Sequence, residues 1–510
     1  MPSFHILTFG CQMNYADSAR IKTILQNCWF SYEENIKNAD IIILDTCSVR
    51  QKAEDKITWL MKWFDRKQKI WITGCMIQHN IRASKLTTKK LPETLRKWNF
   101  LWTIDAEKAQ IVWLNTNDVD EIKWENIIPI NNAFNPQFFN LKKTFDNLEL
   151  YWRIDDTGFL PLILKHIWYD ISYDKAIFSD YCQIVPEWNT SMNTNHRKTA
   201  YIPISTWCSQ FCSYCIVPFA RWLEKYFPVE QIVNECKTHL QNGAEELVLL
   251  GQIVNKHPQF VQIIKEVLKL DWLKRLRYTS PYPTYYSDEL LELHEKEPKL
   301  CPHIHIPFQA WSDRILKLMN RGYDSEKAKE FIDKIRWLKR DISITTDIIV
   351  WFCDETEEDF QKTLELVEYW KFDMIYIWVY STRPGTYAQK HLQDNIPYDI
   401  KQDRRDRLNN LLNKTSKENN EKEIGNTRIA LINRFSWTNK DWIYLYEWYT
   451  DNNKQIIISS KSQLTPWNFI DTKITSGVVF KLFGEIKENI NKLKQTYHWH
   501  NYKNTYNSYN

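Results

Sequence analysis

Three short apolar runs in the first 75 residues each lead into a cysteine, and this repetition limits the possible folds more than any other feature. His5-Ile6-Leu7-Thr8-Phe9 leads to Gly10-Cys11, Asp40-Ile41-Ile42-Ile43-Leu44 to Asp45-Thr46-Cys47, and Lys69-Ile70-Trp71-Ile72-Thr73 to Gly74-Cys75. Polar helical stretches separate the runs, Asp17 to Asn27 being the clearest. Buried apolar runs alternating with helices predict a doubly wound parallel α/β domain over residues 1–110, with helices on both faces of the sheet. In open parallel sheets, ligands bind beyond the carboxyl ends of the strands. Cys11, Cys47 and Cys75 are therefore expected at one site, although the same residues would also suit unrelated core positions.

The alternation returns over residues 197–415. Candidate strands are Glu246–Leu250, Arg275–Thr279, His303–Pro307, Ile342–Val350 and Asp373–Tyr380, which suit a parallel (β/α) barrel or part of one. Residues 111–196 are rich in Asn, Asp, Trp and Tyr, with weak periodicity, and read as a connecting insertion. Lys401 to Lys422 reads as a charged linker helix. Short runs between turn residues over 425–486 predict a small antiparallel β-barrel. The Asn-rich tail, 487–510, reads as disordered.

A chain of 510 residues exceeds one ordinary domain, in line with this division. The net charge of +4 permits an RNA partner without requiring one. No run of 18 or more apolar residues appears, so no membrane span is expected. The start, Met1-Pro2-Ser3-Phe4-His5, lacks the basic and apolar pattern of a signal peptide, and a cytoplasmic location is expected. In that compartment the eleven cysteines read as thiolate ligands or core residues rather than disulfides.

Cys208-Ser-Gln-Phe-Cys212-Ser-Tyr-Cys215 is the most specific motif. Three cysteines at this spacing can hold three corners of a four-iron cluster and leave the fourth iron open. An open iron is what the reductive cleavage of a sulfonium such as S-adenosylmethionine needs. The competing reading is structural zinc, which usually takes four ligands, and no fourth Cys or His stands in register. Cys28, Cys182, Cys236, Cys301 and Cys353 show no partner spacing and read as core.

Taken together, these blocks resemble the radical S-adenosylmethionine methylthiotransferases. The resemblance rests on Thr8-Phe9-Gly10-Cys11-Gln12-Met13-Asn14, Asp45-Thr46-Cys47-Ser48-Val49-Arg50, Ile72-Thr73-Gly74-Cys75-Met76 and Cys208 through Arg221. It continues in Leu249-Leu250-Gly251-Gln252, His303 through Gln309, Met319-Asn320-Arg321-Gly322-Tyr323, Thr346 through Val350, Arg383-Pro384-Gly385-Thr386 and Thr450 through Lys454. The last block looks like the TRAM RNA-binding barrel. The Gly-Cys-Gln-Met-Asn form resembles the branch that acts on dimethylallyl-modified adenosine beside the tRNA anticodon. Sister branches act on threonylcarbamoyl-adenosine or a ribosomal protein.

The resemblance implies two 4Fe-4S clusters, on Cys208, Cys212, Cys215 and on Cys11, Cys47, Cys75. It implies two equivalents of S-adenosylmethionine as cosubstrate, and as partners a tRNA, an electron donor protein and a sulfur source. Motif position suggests Tyr214, Gln252 and Gln309 for the cofactor cradle. RNA contacts are expected from Arg428, Arg434, Lys440, Lys454 and Lys461, with Phe435 and Tyr444 able to stack. The rival from another class is a non-catalytic iron–sulfur RNA-binding regulator, which would not need the open-iron motif.

One abnormality runs through these motifs. The chain has 10 glycines and 24 tryptophans, whereas average usage, about 7% glycine, would give roughly three times more glycine. Trp207, Trp222, Trp311 and Trp351 stand where the resembled family has glycine, and Trp29, Trp71, Trp102, Trp448 and Trp467 look similar. Glycine permits positive φ and close backbone approach, and tryptophan does neither well. These positions are expected to be glycine in the cell's protein, encoded by UGA, a codon that some bacteria read as glycine and others as tryptophan. The tryptophans should then lie at strand ends and turns, or crowd the cofactor cleft. Asp354 and Cys353, where the family often has glycine and proline, do not fit that account.

Overall fold

The computed structural model describes residues 2–47, most of 56–76, short strands and part of 147–169 in the region up to 197, and then 198–220, 224–438, 443–464 and 468–486. The expected tail, 487–510, lies outside the described residues, as does most of 111–196. The chain forms two compact units, Met1–Leu411 and Leu412–Asn510.

The first unit opens with strands β1 (Ser3–Thr8), β2 (Ser31–Tyr32), β3 (Ile41–Thr46) and β4 (Lys69–Gly74). They pair in parallel, with Ile6 opposite Ile43 and Ile43 opposite Trp71. Every residue of β3 is buried, which explains its unbroken apolar run. The expected connecting insertion is not separate from this sheet. Strands β5 (Trp102–Ile104), β6 (Gln110–Val112), β7 (Ile127–Pro129) and β8 (Leu148–Trp152) extend it in the order β2-β1-β3-β4-β8-β5-β6-β7. Strand β8 is parallel to β4, while β5, β6 and β7 are antiparallel, so the sheet is mixed rather than purely parallel. The pairing of Ile70 with Leu148 joins segments far apart in sequence, which no local periodicity reveals.

The central part supplies β9 (Thr199–Pro203), a small hairpin of β10 (Ser205–Thr206) and β11 (Lys225–Tyr226), then β12 (Glu246–Leu250), β13 (Arg275–Tyr278), β14 (His303–His305), β15 (Ser343–Val350) and β16 (Met374–Val379). Two three-stranded parallel sheets, β13-β12-β9 and β14-β15-β16, are linked by a parallel bridge between Leu276 and Leu300. This is the expected arc of a partial (β/α) barrel. The helix Gln12–Asn27 binds the two α/β regions together. Its Met13 and Ala16 pack with Val248 and Leu250. Its wholly buried Arg20 reaches Glu235 of the helix Val229–Gln241 at 2.9 Å, touching both carboxylate oxygens.

In the second unit, β17 (Thr427–Thr438), β18 (Tyr444–Thr450), β19 (Gln455–Ser460), β20 (Phe469–Val478) and β21 (Lys481–Ile486) close a barrel around Ile432, Tyr446, Ile456, Ile458, Ile474 and Leu482. The β19–β21 pair is parallel, so the barrel is not wholly antiparallel.

The suspect tryptophans divide by backbone. Trp29, Trp207 and Trp351 have φ of 70°, 71° and 70°, and Trp272, which the motifs did not mark, has 62°. The left-handed region costs a residue with a β-carbon about 1–2 kcal/mol. Trp29 and Trp272 lie exposed in turns, whereas Trp207 is buried immediately before Cys208. Trp351 is wholly buried and its indole N–H has no acceptor among the described residues. Asp354 also sits at φ 61°.

Trp71 is a correction. It is extended within β4, fully buried, donates to Glu149 at 2.8 Å and meets Tyr169 edge-on, as a satisfied core tryptophan does. Trp102 and Trp448 lie within strands, Trp311 packs edge-on against Trp370, and Trp222 and Trp467 fall outside the described residues. The expected outcome of peptide mass spectrometry on the native protein is glycine at 29, 207, 272 and 351. Tryptophan at 207, or a UGG codon there, would overturn it.

Candidate functional site

Two glycines bring together the strand ends that precede the amino-terminal cysteines. Gly10 has φ 141°, and a β-carbon there would lie 2.8 Å from the Cys47 Cβ. Gly74 has φ 97°, and its β-carbon would lie 2.2 Å from the Thr46 carbonyl oxygen. The ends of β1 and β4 therefore press against the end of β3, and Cys11, Cys47 and Cys75 emerge from adjoining strand ends. Buried Asn14 ties these ends together. Its Nδ2 donates to Asp45 Oδ1 at 2.9 Å and to the Thr46 carbonyl at 3.2 Å, and its Oδ1 accepts from the Cys11 N–H at 3.2 Å. Ser18 Oγ donates to the second Asp45 oxygen at 3.0 Å, and Thr46 Oγ1 donates to the Thr73 carbonyl.

The central cysteines occupy a loop between β10 and β11, held by the segment Leu318–Tyr323. Ser213 donates through Oγ to the Leu318 carbonyl at 2.7 Å and through N–H to the Met319 carbonyl at 3.0 Å. Asn320 Nδ2 donates to the Phe211 carbonyl at 3.0 Å. Arg321 sends one nitrogen to Cys212 Sγ at 3.4 Å and the other to the Pro307 carbonyl at 2.7 Å, with its guanidinium 4.5 Å from the Tyr282 ring centre. The Gln210 N–H points at Cys208 Sγ at 3.4 Å.

Burial pushes the Cys208 thiol up to about 11 and the Cys215 thiol up to about 12. Left alone these sulfurs keep their protons, and a cation must displace them to form thiolates. The N–H donors from Gln210 and Arg321 then stabilise the sulfur charge. The residues present therefore suit a thiolate-bound cluster. Among the described residues, no group of three Cys, His, Asp or Glu is arranged to hold a single metal ion.

The three expected cradle residues stand on the cysteine loop and just beyond β12 and β14. Tyr214 sits in the cysteine loop, its ring edge-on to Phe352 at 6.1 Å, and burial raises its phenol well above the ordinary value. Gln252 follows Gly251 at the end of β12, where a β-carbon at 251 would lie 2.7 Å from Ser205 Oγ. Gln309 adopts φ 75°, donates its N–H to the Asp347 carbonyl at 2.8 Å and keeps a buried Oε1 with no partner among the described residues. The sequence motif that contains Arg321 assigns it no role. A cation beside Met319-Asn320 was its only signal, and its contact with Cys212 spans 109 positions.

Two of the expected RNA contacts, Arg428 and Lys454, have partners within their own unit. Arg428 makes a two-pronged pair with Glu423 at 2.8 and 2.9 Å. Lys454 is buried and its Nζ donates to Asn420 Oδ1 at 3.1 Å. Both tie residues 420–423 to the barrel within the second unit. Lys461 is exposed and Tyr444 half-buried. Lys440 and the side chains of Arg434 and Phe435 lie outside the described residues.

A parallel strand–helix arc that carries three cysteines at this spacing after its first strand defines the radical S-adenosylmethionine class. Residues 202–367 match the radical SAM superfamily model, and residues 3–93 match a family described as uncharacterized protein family UPF0004. A tRNA-2-methylthio-N(6)-dimethylallyladenosine synthase of Dictyoglomus thermophilum is 32% identical over 95% of this chain and 99% of its own. A protein of the same name from Bacteroides thetaiotaomicron is 30% identical over 94% of this chain and 95% of its own. The chain belongs to the family of tRNA-2-methylthio-N(6)-dimethylallyladenosine synthases. The solved radical S-adenosylmethionine methyltransferase TsrM from Kitasatospora setae, with cobalamin and a 4Fe-4S cluster bound, covers 76% of each chain at 12% identity and a TM-score of 0.45, too distant to carry an argument.

Gly74→Ala should destabilise the chain by about 1–3 kcal/mol, because the left-handed backbone and the Thr46 contact act together. Denaturant unfolding of the full-length protein measures it.

Proposed function

We propose that this enzyme adds a methylthio group to C2 of the N6-dimethylallyl adenosine next to the anticodon of tRNA, at position 37. The observation that carries the reading is the pair of three-cysteine sets at strand ends in one chain whose curated relatives, over nearly its whole length, bear that activity in their names. Cys208, Cys212 and Cys215 would hold one 4Fe-4S cluster, and Cys11, Cys47 and Cys75 the other. The first would supply the electron that splits S-adenosylmethionine into methionine and a deoxyadenosyl radical able to take hydrogen from C2, and the second would supply the sulfur, its methyl coming from a second S-adenosylmethionine.

The chain's own residues orient these parts. Arg321 holds the Cys212 sulfur against the strand end at Pro307. Tyr214, Gln252 and Gln309 border the place where the cosubstrate would lie, with the Gln309 Oε1 available to accept a donor from it. Asn14 and Asp45 keep the second set of strand ends in register. The closed barrel of the second unit, TRAM-like in its final motif, would bind the tRNA, and an electron donor protein and a sulfur source would complete the partners. A helix long and apolar enough to cross a membrane is absent among the described residues, and we place the enzyme in the cytoplasm with its tRNA.

Cys212→Ala should abolish cleavage of S-adenosylmethionine, because the cluster loses a corner. Cys47→Ala should retain cleavage and yield no methylthio nucleoside. Full product from Cys47→Ala would remove the second cluster from that site. If the anaerobic, reconstituted protein released no deoxyadenosine at all, the regulator reading would replace this one.

Deleting residues 425–510 should weaken tRNA binding while cofactor cleavage persists. Binding by the full chain should fall with rising salt as phosphate contacts release counterions. Titration of labelled tRNA at several salt concentrations checks both, and equal affinity with and without the segment would refute the RNA role of the barrel.

A further inference from the structure

The sheet β14-β15-β16 carries a line of side chains that the cofactor chemistry leaves unused. Side chains alternate between the faces of a strand. Ile304, Ile344, Ile348 and Ile375 are buried on one face, and His303, His305, Thr345, Asp347, Tyr376 and Trp378 share the other. His305 Nε2 meets Asp347 Oδ2 at 3.1 Å, and its Nδ1 meets Thr345 Oγ1 at 2.9 Å. Trp378 Nε1 donates to Asp347 Oδ1 at 2.9 Å. Each carboxylate oxygen is thus fixed in direction, yet the Asp347 side chain keeps 22% exposure. Tyr376 and Trp378 are 38% and 40% exposed, and the Tyr376 ring stands edge-on to His305 at 5.8 Å.

This face adjoins the cysteine loop. His305 lies two residues before Pro307, a rise of roughly 7 Å along a strand, and the Pro307 carbonyl shares the Arg321 guanidinium with Cys212. The Asp347 backbone carries Gln309. A planar ligand on the two aromatic rings would therefore lie beside the radical chemistry.

We propose that this face seats the target purine of the RNA substrate. The inference rests on the function proposed above and deepens it. Tyr376 and Trp378 would stack the base and its alkyl group, since aromatic side chains bind bases of splayed RNA by stacking. Asp347 would accept the N–H that remains on N6 after alkylation. The ring nitrogens N1, N3 and N7 only accept and N9 carries the ribose, so an anchored carboxylate favours the orientation that turns N6 toward it. His305 is a positioning residue, holding Asp347 through Nε2 and Thr345 through Nδ1. The adenine of S-adenosylmethionine also carries an N6 donor, and the experiment must tell the two sources apart.

The full-length enzyme with both clusters is assayed anaerobically for deoxyadenosine and methylthio nucleoside, with and without tRNA. Tyr376→Ala should lower kcat/KM for tRNA roughly 5- to 150-fold, the range of a lost base–aromatic stack. Tyr376→Phe should restore it. Asp347→Asn should raise the ratio of deoxyadenosine to methylthio product and leave RNA-free cleavage unchanged. His305→Leu should behave like Asp347→Asn, and His305→Gln, which keeps a donor toward the carboxylate, should recover part of the loss. In a separate readout, an anticodon stem-loop with 2-aminopurine at the target position should be quenched on binding, and Tyr376→Ala should abolish the quench.

Equal loss of RNA-free cleavage in Asp347→Asn would assign the carboxylate to S-adenosylmethionine and overturn the proposal. An unchanged quench in Tyr376→Ala would overturn it too. Absence of methylthio product from the unmutated enzyme, with the quench intact, would sink the proposed activity and leave the purine seat standing.

Discussion

The central cysteine loop depends on the donors that meet its largely enclosed sulfurs. Burial alone keeps Cys208 and Cys215 protonated. What suits the loop to a ligand's role rather than to a piece of core is the set of donors around it. The Arg321 guanidinium and the Gln210 N–H point at sulfur. The segment carrying Arg321 grips the loop backbone through Ser213 and Phe211, so the cysteine spacing and its counter-charge arrive as one rigid unit.

At the amino-terminal edge the cysteines are placed differently. There the thiols come from three strand ends, and no single loop can space them. The spacing is set by how closely the strand ends approach, and Gly10 and Gly74 allow a contact that any β-carbon would block. The polar links among Asn14, Ser18 and Asp45 then fix the register of the strand ends. The buried Arg20–Glu235 pair extends this order to the central arc. Breaking one partner of such a pair strands a buried charge, commonly at 3–5 kcal/mol. Its geometry therefore acts as a lock between the helix that begins at one cysteine site and the strands that lead to the other.

The tryptophans show where local sequence and backbone disagree. At 29, 207, 272 and 351 the chain turns through a region that suits glycine, and at 351 the large ring is enclosed with its N–H unsatisfied. At 71 the same residue type is extended, hydrogen-bonded and packed among aromatic rings. Residue identity does not separate these cases. The φ angle does, because the steric penalty falls on the β-carbon and not on the ring.

Much of the site was readable in the linear sequence. Alternating apolar runs located β1, β3, β4, β12, β15 and β16 to within a few residues, because a buried parallel strand needs a continuous apolar run. Cysteine spacing marked Cys208, Cys212 and Cys215, which share one loop gripped by the segment that carries Arg321. Tertiary structure alone decided that Leu148–Trp152 joins the first sheet, that Arg321 serves Cys212, and that Arg428 and Lys454 turn inward to Glu423 and Asn420. It also placed Asp347 between His305 and Trp378. Each of these depends on a partner remote in sequence or on the direction a side chain takes from its strand, and neither leaves a periodic trace in the order of residues.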